Sequence, residues 1–195
     1  MIHAMTVPAK PPDSASDADE VRAFLAGDEA AFERLVDRHQ RTLLHLCQRL
    51  VGASDAADLF QEVFLQCYRM VHQLREPEAF RAWLLQITVR RARRRQQARP
   101  GPLAVEEPEL FAAPAVGDPL ELADEVAALR RALERLPPRQ REVVVLRHDQ
   151  GLSFAEIAAL LEIREDAARA NHYQGMRRLR RELLGATDDR SEESP

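Results

Sequence analysis

A proline-rich, acidic segment near the middle of the chain limits the possible fold more than any other feature of the sequence. Residues 99–125, RPGPLAVEEPELFAAPAVGDPLELADE, contain five prolines and two glycines. Proline lacks a backbone donor and glycine weakens helix interiors, so no regular helix or strand is expected to run through the segment. Residues 100–125 also carry seven acids and no base. The segment is therefore predicted to be a flexible linker between two domains.

On both sides of this linker, apolar residues recur at the three- and four-residue spacings of amphipathic helices. No stretch shows the Val/Ile-rich alternation of a strand. The predicted fold class is therefore all-α, with two small helical domains. The predicted helices cover residues 19–26, 29–51, 54–74 and 78–97 in the first domain, and 120–135, 138–150, 153–161 and 165–184 in the second. The predicted organisation is a disordered tail (1–18), a four-helix domain (19–98), the linker (99–121), a second helical domain (122–185) and a disordered acidic tail (186–195).

The charge of the chain is unevenly distributed. The net charge is -4, but residues 19–99 carry 14 arginines against 11 acids, and residues 126–185 carry 12 arginines against 8 acids. Two basic blocks thus flank the acidic linker, and the linker could span about 86 Å if it were fully extended. Two separated basic domains are compatible with a nucleic-acid partner despite the negative total.

Several function classes find no support in the sequence. Cys47 and Cys67 are isolated and fall on apolar helix faces, so they are expected to be reduced core residues. No Gly-rich phosphate loop, nucleophile motif or ligand cluster occurs, so no cofactor, metal site or enzymatic activity is expected. The apolar stretches are shorter than the roughly 20 residues of a membrane span, and the N-terminus has no signal segment, which predicts a cytoplasmic protein.

The stretch GLSFAEIAALLEIREDAARANHYQGM, residues 151–176, predicts two helices joined by a tight turn. Ser153 and Glu156 have the spacing of a capping box, which starts the first helix. A three-residue turn, 162–164, leads to a second helix whose outward side carries several arginines. This is the pattern of a DNA-binding helix-turn-helix. A helical hairpin with a solvated arginine face is the alternative.

Two parts of the sequence resemble bacterial RNA polymerase sigma factors of the extracytoplasmic-function (ECF) subgroup. The stretch ALERLPPRQREVVVLRHDQGLSFAEIAALL is similar to region 4, the promoter-reading domain. The stretches DAADLFQEVFLQCYRM and FRAWLLQITVRRARRR are similar to region 2. Where the family commonly has Thr-Val-Lys at the start of the recognition helix, this chain has Ala167, Ala168 and Arg169.

The resemblance implies a function and a set of contacts. The protein is expected to bind core RNA polymerase, through the clamp helices of the largest subunit and the flap of the second-largest, and to direct initiation at promoter DNA. The resemblance leaves open whether an anti-sigma factor is a further partner. Core polymerase would be bound by Asp55, Asp58, Gln61, Glu62 and Gln66. The minus-ten element would be recognised and melted by Arg75, Glu76, Arg81, Trp83, Arg90, Arg91 and Arg94. The minus-thirty-five element would be read by Arg164, Ala167, Arg169, Ala170, Tyr173 and Arg177.

The arginine run in the first domain supports a DNA contact independently of the resemblance. Six arginines lie between Arg90 and Arg99 without an acid among them, so neighbours on the same helix cannot neutralise them. Phosphate binding is the predicted role, because each neutralised phosphate releases counterions. The competing function is a helix-turn-helix regulator that acts without polymerase. A third class of function is a protein that only sequesters partners. Such a function would leave the two arginine-rich faces unexplained.

Overall fold

The structure, a computed structural model, describes residues 15–98 and 119–191, and these form helices and no strand. The all-α prediction is confirmed. Short 3-10 turns at Val71–Gln73 and Pro77–Ala79 connect the third and fourth helices. The described helices are α1 (Asp17–Leu25), α2 (Glu29–Val51), α3 (Ala53–Met70), α4 (Phe80–Ala98), α5 (Pro119–Glu134), α6 (Pro138–His148), α7 (Phe154–Leu161) and α8 (Glu165–Ser191). Most of the predicted linker and parts of both predicted tails lie outside the described residues. None of the described helices is long and apolar enough to cross a membrane.

Local hydrogen bonds set where the first helices begin and end. α1 starts two residues before its predicted position because Ser16 and Asp19 form a capping box that the sequence analysis missed. Asp28 lies at the predicted N-cap of α2, but its side chain makes no capping hydrogen bond and accepts one from Arg34 instead, at 2.8 Å. Gly52, with φ 84°, ends α2 and begins α3, a conformation that favours glycine.

α8 is longer than predicted. It continues to Ser191, whereas the sequence pattern placed its end near residue 184, before a tail. Gly185, which directly follows the predicted end, lies inside the helix. A glycine ends a helix only where its backbone adopts the left-handed conformation, and sequence alone does not show whether it does.

The two predicted domains pack against each other. α1–α4 form the first bundle and α5–α8 the second, and α2 contacts α5 and α6 while α4 contacts α7. The buried side chains of both bundles form one continuous apolar cluster. Cys47 and Cys67 lie in its first half as free thiols, and burial raises the pKa of each to about 12. Their prediction as reduced core residues is confirmed.

α6 and α8 cross at Gly175, which is buried. A Cβ atom at this position would lie 2.8 Å from Cγ2 of Val144, closer than two carbon atoms can approach without a shift. A larger residue at position 175 would therefore require Val144 or the helices to shift. The three- and four-residue spacing of Ala168, His172, Met176 and Leu179 predicts that Met176 faces inward, but it is 37% exposed, and that prediction is wrong. Ala168, Gly175 and Leu179 are the buried positions of α8 in this region.

Candidate nucleic-acid interface

α7, α8 and the turn between them have the predicted helix-turn-helix arrangement. The backbone N–H of Glu156 donates to Oγ of Ser153 at 3.2 Å, and the N–H of Ser153 donates to Oε2 of Glu156 at 2.7 Å, which confirms the capping box. These hydrogen bonds lower the pKa of the Glu156 carboxyl. Glu162 closes α7 in the left-handed conformation, with φ 57° and ψ 47°, and turns the chain towards α8.

Most of the residues assigned to the minus-thirty-five element are exposed. Arg164 lies in the turn before α8, and Arg169, Ala170, Tyr173 and Arg177 lie on α8, where Ala167 is half-buried. Two of the arginines already have acidic partners in the first turn of α8. Arg164 pairs with Asp166, which raises the pKa of its guanidinium, and Arg169 pairs with Glu165. Both arginines remain more than half exposed and can reach a ligand outside the fold.

A cluster around the Phe154 ring joins α6, α7 and α8, and the sequence analysis did not identify it. The guanidinium carbons of Arg147 and Arg169 lie 5.0 Å and 4.9 Å from the ring centroid, distances typical of cation–π contacts. The His172 ring meets Phe154 edge-on, with centroids 5.3 Å apart, and stacks on His148. Burial and, after it, the charges of His148 and Arg147 lower the pKa of His172.

The second half of α8 carries a group of exposed arginines: Arg177, Arg178, Arg180 and Arg181. Among the side chains that the structure describes, those of residues 15–98 and 124–184, no carboxylate pairs with any of these four arginines. Their positions along one helix present positive charge to solvent over more than one turn. This surface can bind a polyanion without breaking an existing ion pair.

Four of the six α4 arginines, in contrast, are paired with acids outside α4. Arg91 pairs with Glu62 at 3.3 Å, and Arg95 pairs with Asp58 at 3.2 Å and with Glu62 at 3.6 Å. The expectation that no neighbour on the same helix neutralises this run holds for these side chains, because their acidic partners lie on α3, more than 25 positions away in sequence. Neutralisation from another helix was not predicted.

Two further α4 arginines pair with the second bundle. Nε and Nη2 of Arg93 donate to the two carboxylate oxygens of Glu142 at 2.7 and 2.8 Å. Glu142 is only 2% exposed and also accepts from Arg139 at 3.3 Å. Arg90 pairs with the exposed Glu162.

Backbone acceptors add to the contact between the bundles. Arg81 donates to the carbonyl oxygen of Gln150 at 2.9 Å. Arg141 donates to the carbonyl oxygen of Leu50 at 2.9 Å, and also to those of Glu134 and Leu136. Burial lowers the pKa of Arg141. Arg81 and Arg90, both assigned to the minus-ten element, are thus in contact with the second bundle.

The remaining minus-ten candidates are spread over three environments. Arg75 and Glu76 are exposed in the loop between the two 3-10 turns, and Arg94 is exposed on α4. Trp83 is half-buried and packs against the core, with its ring 6.2 Å from that of Phe80. The structure therefore brings Arg81, Arg90, Arg91 and Arg94 onto one helix and leaves Arg75 and Glu76 on the loop before it.

The exposed face of α3 combines polar and apolar side chains. Asp58 and Gln61 are exposed, and Asp55, Glu62 and Gln66 are half-buried. Leu65 and Tyr68, which the sequence analysis did not assign to this face, are 56% and 48% exposed. The spacing of Gln61, Leu65 and Tyr68 marks one helix face and could have identified this apolar addition. Among the described residues, no group of three or more His, Cys, Asp or Glu could hold a metal ion.

Comparison with known proteins agrees with this arrangement. The sequence profile of Sigma-70 region 2 matches residues 35–99, and that of Sigma-70 region 4 matches residues 127–179. The chain is 35% identical over 176 residues to the ECF RNA polymerase sigma factor SigM of Mycobacterium tuberculosis, covering 87% of this chain and 85% of that one. It is 35% identical over 148 residues to the ECF RNA polymerase sigma-E factor of Escherichia coli K12, covering 70% and 78%.

Solved structures share the fold. CnrH in complex with the cytosolic domain of CnrY has a TM-score of 0.65 and 24% identity, covering 87% of this chain and 97% of that chain. The sigma factor RpoE in complex with the anti-sigma factor NepR, from Bartonella quintana, has a TM-score of 0.60 and 20% identity, covering 79% and 96%.

Proposed function

The chain belongs to the ECF RNA polymerase sigma factors, and from that membership we propose that it binds core RNA polymerase and directs promoter-specific transcription initiation. The first bundle recognises and melts the minus-ten element, and the second reads the minus-thirty-five element. The observation that carries this proposal is the exposed, unpaired arginine surface of α8, which follows a capped helix-turn-helix in a chain with a matching region 2.

The α3 face is proposed to bind the clamp helices of the largest polymerase subunit. Its polar residues, Asp58, Gln61 and Glu62, surround the exposed side chains of Leu65 and Tyr68. Exposed apolar groups beside charged ones are typical of an interface that is buried only in a complex.

The flap of the second-largest subunit is proposed to bind the second bundle. An anti-sigma factor is a proposed regulatory partner, because one of the similar structures is such a complex.

Minus-ten recognition is proposed to separate the two bundles. Arg81 donates to the carbonyl oxygen of Gln150 and Arg90 pairs with Glu162 in the packed arrangement, so DNA binding by these two arginines competes with contacts between the bundles. Core polymerase is proposed to stabilise the separated form. Phosphates of the promoter then replace the carboxylates as partners of the α4 arginines, a substitution of one charge-assisted pair for another.

At the minus-thirty-five element, Arg164, Arg169 and Tyr173 are proposed to enter the major groove. Arg169 lies one turn into α8, where recognition helices approach base edges, and its fork can pair with guanine. Arg177 lies further along and is proposed to bind phosphate. The alternative function, a regulator that acts without polymerase, predicts sequence-specific binding by the free chain.

The test is transcription from a library of genomic fragments by core polymerase with and without the chain. We expect defined start sites only when both are present, and no sequence-specific duplex binding by the chain alone. Specific binding by the free chain, without an effect on the start sites used by polymerase, would support the regulator instead.

The polymerase surface is tested with two variants. Asp58→Lys with Glu62→Lys reverses two charges, and because both acids pair with α4 arginines, its unfolding must be checked by denaturant titration. Leu65→Ser breaks no ion pair and isolates the apolar contact. Both are expected to weaken affinity for core enzyme at least tenfold, whereas reversal of the exposed acids Glu33 and Asp37 on α2 should not. Unchanged affinity in both variants would exclude this face as the docking surface.

A further inference from the structure

Arg169 on α8 contacts the aromatic ring of Phe154, which lies on α7. Arg169 is 61% exposed and lies on the proposed base-reading face of α8. Its guanidinium carbon is 4.9 Å from the centroid of the Phe154 ring. Phe154 is the first residue of α7, directly after the Ser153 cap. The ring therefore belongs to a different helix from the arginine that it contacts.

The Phe154 ring is itself fixed from several sides. Its backbone belongs to the capped first turn of α7, and the ring packs against the apolar core. His172 meets it edge-on, and Arg147 places a second guanidinium 5.0 Å from its centroid. Arg147 is held in turn by a hydrogen bond to the carbonyl oxygen of Leu152 at 2.8 Å. A side chain that rests on this ring thus rests on a rigid surface.

An exposed arginine is otherwise poorly suited to reading one base. Its long side chain samples many rotamers, and ordering it upon binding reduces affinity. A ring face attracts the guanidinium and limits those rotamers while leaving its N–H groups free to donate. Glu165 contributes a second restraint through its ion pair with Arg169. The ring contact and the ion pair together orient the guanidinium before DNA binds.

We propose that Phe154 is a positioning residue for promoter reading: its ring holds the guanidinium of Arg169 in the orientation that reaches a base edge, and so sets how strongly the chain discriminates at that base pair. This inference rests on the proposed function, in which Arg169 reads a base. A purely structural role for Phe154 would require only its apolar volume, which leucine also provides.

The test measures base preference with the full chain bound to core polymerase, on promoter fragments randomised across the minus-thirty-five element. Arg169→Ala first identifies the position that Arg169 reads. Phe154→Leu should then lower the preference at that same position by about two- to fivefold, the loss expected for one exposed cation–π contact. Phe154→Tyr, which keeps the ring, should retain the preference. Thermal unfolding of each variant controls for the loss of packing.

A double substitution separates positioning from packing. In the Arg169→Ala background, Phe154→Leu should cause no further loss of preference, because the arginine that the ring holds is gone. An equal loss of affinity for all sequences in Phe154→Leu, or an unchanged preference, would overturn the positioning role. If Arg169→Ala relaxes no position, base reading by Arg169 is itself excluded, and the inference falls with it for a distinguishable reason.

Discussion

The arginines of α4 and those of the second half of α8 form two dense groups of the same residue type, yet their surroundings differ. Arg90, Arg91, Arg93 and Arg95 each pair with a carboxylate from another helix. The four arginines at 177, 178, 180 and 181 have no such partner among the described residues. Two arginine-rich stretches of the sequence thus form different surfaces. Most of the α4 arginines are neutralised by carboxylates, whereas the four α8 arginines remain available to bind a polyanion.

This contrast predicts the order in which the two bundles bind DNA. The α8 surface can bind phosphates directly, with release of counterions. The α4 surface must first exchange carboxylates for phosphates, and the exchange at Arg90 and Arg93 also requires movement of the second bundle. We therefore expect the second bundle to make the first contact with a polyanion, and the first bundle to follow after a conformational change.

The largest expected effect comes from the buried acid at the contact between the bundles. Glu142→Gln removes the charge that faces Arg93 and Arg139 while keeping the side-chain shape. Because Glu142 is 2% exposed, the two guanidinium groups lose their partner in a poorly solvated site. The partial exposure of both arginines moderates the loss, and we expect the free energy of unfolding to fall by roughly 2–3 kcal/mol. Denaturant titration measures it.

Glu162→Gln is the matched control for this substitution. It also removes one carboxylate that pairs with an α4 arginine, Arg90, but Glu162 is 68% exposed. Solvent screens such a pair, so the loss should be at most roughly 0.5 kcal/mol. Equal losses in the two variants would show that the difference in burial between the two ion pairs has no energetic consequence.

The next effect concerns the packing that presents the α8 arginines. Gly175→Ala adds a methyl group 2.8 Å from Cγ2 of Val144. Overpacking of this kind should lower the free energy of unfolding by about 1–2 kcal/mol, although alanine favours a helix more than glycine does. Thermal or denaturant unfolding measures it. Val144→Ala in the same chain should recover part of the loss, and a stabilised single variant would contradict the close crossing.

A third prediction compares the two arginine surfaces directly in the free chain. Binding to mixed-sequence duplex DNA should weaken with salt, and Arg177→Ala should reduce the slope of log K against log salt concentration by about one unit. Arg91→Ala should leave the slope nearly unchanged because its guanidinium already pairs with Glu62. Fluorescence anisotropy at several salt concentrations measures both slopes. Equal reductions would mean that the α4 pairs open readily in the free chain.

The smallest expected effect is on pH dependence. The pKa of His172 is lowered in the folded chain by burial and by His148 and Arg147, so the fold favours its neutral form. This contribution is complete above the unfolded pKa of about 6.5 and is lost as the pH falls below it. Because the ring is partly solvated, we expect a loss of only a few tenths of a kcal/mol between pH 7.5 and 5.5.

His172→Leu tests this dependence, since it keeps an apolar group against Phe154 and removes the titration. Unfolding titrations at three pH values should show a shallower decline than in the unmodified chain. His45→Gln, at an exposed position on α2, is the control and should not change the decline. A decline of the same steepness in His172→Leu would assign the pH effect to other groups.

Much of the fold could be predicted because its signals are local. The capping box at Ser153, the glycine at position 52 and the apolar periodicity placed most helices within a few residues. The end of α8 and the Ser16 cap were missed, since each depends on a backbone conformation that several sequences allow. The packing between the bundles was also missed, because the linker pattern predicts separation and gives no information about contacts across it.

The candidate site was also predictable only where its features depend on local sequence. The exposed face of α8 follows from helical spacing alone, which is why Arg169, Tyr173 and Arg177 were predicted to be exposed. The pairing of Arg93 with Glu142 joins residues 49 positions apart, and no spacing rule within one helix identifies it. The contact of Phe154 with Arg169 likewise depends on how α7 and α8 cross.

At the close crossing of α6 and α8, the residue at position 175 is more constrained than the residues at the exposed positions of α8. Under the proposed function, Arg164, Arg169 and Tyr173 are exposed and could be exchanged to retarget the chain to another promoter with little effect on folding. Position 175 faces Val144, and any residue larger than glycine there is expected to lower stability unless Val144 is made smaller. A library built to obtain sigma factors that do not cross-react in one cell should therefore randomise the exposed positions and keep residue 175 fixed.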